Sequence, residues 1–291
     1  MRRRHFMQVG LTGLTGLASC GKSRQASDIS VKAGPFAVTV PEDWSKTAMV
    51  EQVPIRPVYL PKEWEEFQKD KQHILKPDYQ CRPRHWALRF PAALPEGIDF
   101  DPKNAGNDPT APQILIHKAD EWGLAFTDGE HGVSDSADVP LTLRKNMDAA
   151  MADASRFDSP AFMDASPTFN SLKRRVDFSG GHGIRWVTQW TIEPALMKLG
   201  QLHYLFLGMS DDNSCQIIAT FPLNLPGLPT AQDNTHLGHK IGNHDEFSEN
   251  YHEYVEDAKK WLETNQHEIT PSLQALDQVM RSLVVSRWQS S

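Results

Sequence analysis

The chain has 291 residues, with 30 Lys and Arg against 37 Asp and Glu, a net charge of −7. That balance argues against a nucleic-acid partner and against a polybasic grip on anionic lipid. Hydrophobic residues at 39% and aromatics at 9% suit a packed core, and the length allows one large domain or two small ones.

The first residues support two readings. Arg2, Arg3 and Arg4 are followed by Phe6 to Leu17 without one charged side chain, and Leu17-Ala18-Ser19-Cys20 closes the stretch. A basic opening, an apolar segment and a small-residue cleavage site make up an export signal. The segment is too short to stay in a bilayer as a spanning helix, which takes about 20 apolar residues. Arg3-Arg4-His5-Phe6-Met7 resembles the twin-arginine signal, with Arg3, Arg4 and Phe6 carrying the likeness. Leu17-Ala18-Ser19-Cys20 resembles the bacterial lipobox. The lipobox resemblance implies cleavage before Cys20, acyl chains on its thiol, and an extracytoplasmic protein anchored in the inner or outer membrane. Each buried methylene contributes about 0.8 kcal/mol, so two or three chains hold firmly. Loss of residues 1–19 removes three Arg and no acid, leaving 27 basic against 37 acidic residues, a net charge of −10.

The same stretch spells G-x-x-x-x-G-K-S from Gly16 to Ser23. In a phosphate-binding loop Gly16, Gly21 and Lys22 would cradle phosphates and Ser23 would hold magnesium, at the start of a buried helix. Met1 to Ser23 resembles the opening of small P-loop kinases. The continuation does not: Arg24 to Val31 lacks helical apolar spacing, and Gly34-Pro35 would end a helix early. Cleavage before Cys20 would also cut the motif. The export reading is therefore preferred, with a P-loop nucleotide enzyme kept as an alternative.

Residues 20–34 are polar and weakly patterned and read as a lipidated tether. Phe36 to Val40 alternates as a strand and stops at Pro41. A short helix is expected over Glu63–Leu75. Trp86–Phe90 and Gln113–His117 are the next strands, separated by a long Pro/Gly/Asn/Asp loop near 91–112. Apolar residues at 3.6 spacing predict a helix over Leu141–Phe157. Strands follow at Leu172–Phe178, Ile184–Ile192, Leu202–Leu207 and Cys215–Phe221, joined by turns, so neighbours must be antiparallel. Ile184, Trp186, Thr188, Trp190 and Ile192 alternate with polar residues, the mark of a half-buried strand. A loop near 223–244 leads to a helix over Asp245–Thr264, and Pro271 opens the last helix. There is no internal repeat. The expectation is one α+β domain over 35–291, an antiparallel β-sheet flanked by helices.

Residues Arg185 to Trp190, Tyr204 to Asp212, Ala219 to Pro222 and Thr270 to Leu273, with Leu276-Asp277 and Ser282-Leu283, resemble a recurring domain of exported bacterial proteins. That domain is related in shape to PsbP-like folds. The resemblance covers about 183–285 and implies an α/β/α sandwich, with no catalytic set to carry over.

The densest polar cluster is His236-Leu237-Gly238-His239-Lys240-Ile241-Gly242-Asn243-His244-Asp245. Imidazole and carboxylate suit a transition metal, so His236, His239, His244 and Asp245 are candidate ligands of a metal-dependent hydrolase. The competing reading is a polar loop whose Asn243 or Asp245 caps the next helix. His182, between glycines, reads as a hairpin tip. Asp128, Glu130, His131, Asp135 and Asp138 lack EF-hand spacing and read as solvated loop residues. Cys81 and Cys215 are expected as buried or half-buried thiols, with a disulfide between them as the alternative. Trp186 and Trp190 share one strand face and read as core before ligand platform. No catalytic residues and no cofactor are assigned. The functional expectation is a lipid-anchored, non-catalytic binding or assembly module with an unidentified protein or small-molecule partner.

Overall fold

The computed structural model describes residues 28–56, 69, 82–98, 108–122, 144–149, 166–242 and 244–288. Asp28–Ala33 (β1) and Phe36–Pro41 (β2) form an antiparallel hairpin. Residues 28–33 thus form a strand, where the sequence suggests tether. Ile29, Val31 and Ala33 stand opposite Val40, Val38 and Phe36, so alternation outweighs the polar residues between them. Gly34 turns the hairpin at φ +58°, and a Cβ there would come within 2.7 Å of the Trp86 ring.

Seven strands form the main sheet: Met49–Val53 (β3), His85–Arg89 (β4), Gln113–Lys118 (β5), Ser166–Phe178 (β6), Gly181–Thr191 (β7), Leu202–Ser210 (β8) and Cys215–Leu223 (β9). Their order is β3-β4-β5-β9-β8-β7-β6, antiparallel at every step. Two meanders start from opposite edges and meet in the middle, where β5 pairs with β9. The α+β antiparallel class expected from the turns is what the molecule has.

Helices are Glu42–Lys46 (α1), a segment at 144–149 (α2), His244–Glu249 (α3), Tyr251–Asn265 (α4) and Leu273–Arg281 (α5). The expected helix over Asp245–Thr264 is therefore two, divided at Asn250. Pro271 lies outside α5, because Ser272 caps it by accepting the Ala275 N–H on its hydroxyl.

The main core lies on one face of the sheet. Leu88, Ile114, Ile116, Tyr204, Phe206, Ile217 and Phe221 meet the β1–β2 hairpin, Tyr254, Ala258 and Leu262 of α4, and Leu276, Val279 and Met280 of α5. A second core on the other face gathers Ala87, Leu115, Ile184, Trp186, Leu205, Leu207 and Ile218 around Ala119 and Met147. The chain between β5 and β6 brings Met147 of α2 onto this face. As a result β7 is buried on both sides, not half-buried: Val187 belongs to the main core and Trp186 to the second.

A buried ion pair ties α5 to the sheet. Asp277, 0% exposed, accepts Arg185 Nε at 3.1 Å and the Tyr204 hydroxyl at 3.2 Å. Arg174 approaches its other oxygen at 3.5 Å, and Arg185 also donates to the Leu172 carbonyl. Leu172 has φ +55° and lies where β6 slips register against β7, an irregularity that brings its carbonyl to the arginine. Desolvation beside Asp277 pushes the Tyr204 hydroxyl well above its ordinary range.

Arg3, Arg4, Phe6, Cys20, the Gly16–Ser23 motif and Cys81 lie outside the described residues, as do Asp128, Glu130, His131, Asp135 and Asp138. Of the helix expected at 63–75 only Lys69 is described. Among the described residues no helix is long and apolar enough to cross a membrane.

Candidate functional site

The loop after β9 folds into a small hairpin, Thr235–His236 (β10) and His239–Lys240 (β11), with Leu237 at φ +52° and Gly238 at φ +84° in its turn. His236 and His239 are direct partners across it. The hairpin lies against α4, where Tyr254, Asp257 and Trp261 recur at helical spacing on one face.

His236 is 6% exposed, with its ring edge-on to Trp261 at 5.1 Å. Its Nδ1 is 2.9 Å from the Tyr254 hydroxyl, which accepts the Met197 N–H. A hydroxyl that accepts there has its proton to give to Nδ1. Burial lowers the imidazole to about 4, so the ring is neutral at pH 7. Burial also raises the Tyr254 hydroxyl above its ordinary range. His239 is half-buried, and its Nε2 lies 3.1 Å from Asp257 Oδ2. That bond, with Lys260 beside it, holds the Asp257 carboxyl below the usual range.

Beside this cluster opens a cavity of about 410 Å³, lined by His239, Lys240, Gly242, Glu246, Phe247, Asn250 and Glu253. Phe247 packs on Tyr251 and Tyr254 at 5.5 and 5.8 Å, giving one side an aromatic floor. The rim carries both signs of charge. Such a surface is equipped to hold a ligand by hydrogen bonds and apolar contact.

The candidate metal ligands are brought together only in part. His236 and His239 face each other across the hairpin, but their bonded nitrogens are taken up by Tyr254 and Asp257. His244 and Asp245 begin α3, and the His244 side chain lies outside the description. Among the described residues no three His, Cys, Asp or Glu side chains gather as a metal ion requires.

A second histidine group lies on the sheet's other face. The register aligns Val53, His85, His117, Gln216, Met209 and His182 in one row across six strands. The rings of His85 and His117 are 4.8 Å apart, and the Trp122 ring lies tilted against His117 at 5.3 Å while its Nε1 donates to Gln216 Oε1 at 2.7 Å. His85 Nδ1 donates to the Pro83 carbonyl at 2.9 Å, and burial lowers its ring to about 4. His117, wholly buried, is lowered well below its ordinary value. His182 stands in β7 just past the turn rather than at its tip. It accepts Arg144 Nη1 at 2.9 Å, and the same guanidinium donates to the Ser210 carbonyl at 2.7 Å, clamping α2 to the β8–β9 turn. Trp186 is core, and Trp190 packs on buried His203 at 5.1 Å. Cys215 is a free, buried thiol that desolvation pushes up to about 11.

Sequence reasoning found His236 and His239 but missed Tyr254, Asp257 and Phe247. Tyr254 and Trp261 recur at helical spacing within the expected helix, but nothing local ties that face to a loop 18 residues earlier. Comparison with protein-family models, with curated proteins and with solved structures finds no match.

Proposed function

We propose that the chain is a lipoprotein held on an extracytoplasmic membrane face through acyl chains on Cys20, serving there as a non-catalytic binding or assembly module of PsbP-like architecture. The observation that carries the anchor is the order of Arg3-Arg4, an uncharged apolar stretch and Leu17-Ala18-Ser19-Cys20. The binding role is supported by the cleft beside β10–β11, where an aromatic floor meets a rim of mixed charge. The partner is a protein or small molecule, and the mature charge of −10 disfavours nucleic acid. Mass spectrometry of the mature N-terminus tests the anchor. Expected is an acylated Cys20 as first residue, with Cys20→Ser moving the protein from the membrane to the soluble fraction. An intact Met1 terminus on cytosolic protein would sink the reading.

One observation favours a second reading, a metal-dependent hydrolase. His236 and His239 are directly paired across β10–β11, with His244 and Asp245 following in the chain. It expects zinc in purified protein that is lost on His239→Ala, and metal-free protein without zinc affinity ends it.

A further inference from the structure

Five large apolar side chains are exposed among the described residues, and three of them, Ile29, Met49 and Val50, are 40–41% exposed on β1 and β3. Apolar residues scattered singly over a surface are ordinary. Ile29 and Val50 are not scattered, whereas Met49, next to Val50 in an extended strand, points to the opposite face of the sheet. Asp28 stands opposite Pro41 at the open end of the β1–β2 hairpin, and only residues 42–48 separate Pro41 from Met49. The strands β1 and β3 pack against one another. β3 is also an edge of the seven-stranded sheet, and among the described residues no strand pairs with its outer side. Of the other two, Val284 flanks β2, while Ile192, 85% exposed, lies past the far end of β7.

The length of chain before β1 bounds how far this edge can stand from a lipid on Cys20. Eight peptide steps separate Cys20 from Asp28. Fully extended they span about 29 Å, so a lipid on Cys20 keeps the opening of β1 within that distance of the bilayer in any conformation. We infer that the β1–β3 edge is the membrane-facing side of the protein, with Ile29 and Val50 resting on the phospholipid interface that holds the Cys20 acyl chains. The inference builds on the lipoprotein reading above. With a net mature charge of −10, contact through apolar side chains suits the bilayer better than contact through charge.

The test places the photoreactive residue benzoylphenylalanine at position 29, 50 or 192 of the full chain. The acylated protein is purified from membranes and reconstituted in phosphatidylcholine vesicles. Phospholipid adducts are expected at 29 and 50 in several-fold excess over 192. Acylated protein with equal or no adducts at the three positions overturns the inference and leaves the anchor standing, as do protein–protein adducts at 29 and 50, which would make the edge a contact between copies. Absence of acyl groups from Cys20 in the same sample overturns the anchor itself, and the inference with it. Hydrogen exchange on unsubstituted protein guards against a misfolded variant. Amides of 28–31 and 49–53 should exchange more slowly in vesicles than in the soluble Cys20→Ser chain, and identical rates count against the membrane-facing edge.

Discussion

Asp277 is a carboxylate placed where the chain otherwise stacks Leu276, Val279 and Met280 against the sheet. Its partners Arg185 and Tyr204 come from β7 and β8, so one side chain joins the last helix to two strands. Asp277→Ala should cost about 3–5 kcal/mol, chiefly because it strands the buried Arg185 guanidinium. Urea unfolding measures this, and adding Arg185→Met should recover much of the loss, since the penalty belongs to the unpaired charge. Near-wild-type stability for Asp277→Ala alone would show that the pair is not desolvated. The buried imidazoles set the response to acid. His85 and His203 are each lowered by burial to about 4, against 6.5 when unfolded. Between these values the unfolded chain binds protons that the native one does not, so stability present above pH 6.5 is lost as pH falls towards 4. At the limit each ring is worth on the order of 3 kcal/mol. His236 acts in the same direction. Urea midpoints at pH 7.5 and pH 5 should differ accordingly, and His203→Phe should flatten the dependence. Equal midpoints would mean that these rings titrate normally in the fold.

Among the elements, β7 and β8 approach so closely that only glycine fits at one crossing. A Cβ on Gly183 would stand 2.3 Å from the Leu207 carbonyl oxygen and 2.4 Å from the Phe206 ring. Gly183→Ala should destabilise by about 1–3 kcal/mol through forced displacement of the strand pair. Thermal unfolding checks it, with Gly242→Ala, whose added Cβ meets open space, as the harmless comparison. The main strands were legible because alternation and turn residues are local signals: the Asp211–Ser214 turn is closed by Asp212 accepting from Ser210 and Ser214. What escaped depends on distant partners. β1 is polar at every second position, and only its pairing with β2 and the core beneath makes it a strand. Burial of β7 on its second face depends on Met147, which alternation within β7 cannot report. The break at Asn250 sits inside a run that keeps helical composition on both sides. The candidate site was half legible for the same reason: the hairpin histidines announce themselves, while Tyr254 and Asp257 look like ordinary helix positions.

For the whole molecule, the arrangement concentrates the packed helices α4 and α5 on one face and leaves the β10–β11 cleft beside α3 and α4. The proposed anchor enters at β1, so the cleft and the lipid are attached through different parts of the fold. The meeting of the two meanders has a temporal consequence. β5 ends at Lys118, and its central neighbour β9 begins only at Cys215. During synthesis the first three sheet strands must therefore wait, with β5's inner edge bare, until nearly a hundred more residues have been made. Loop closure over such separations is slow, and an uncovered edge invites pairing with another nascent chain. The seam that finishes the sheet is thus also its moment of greatest exposure, and a polypeptide interrupted before residue 215 would carry a sticky half-sheet with no means of closing it.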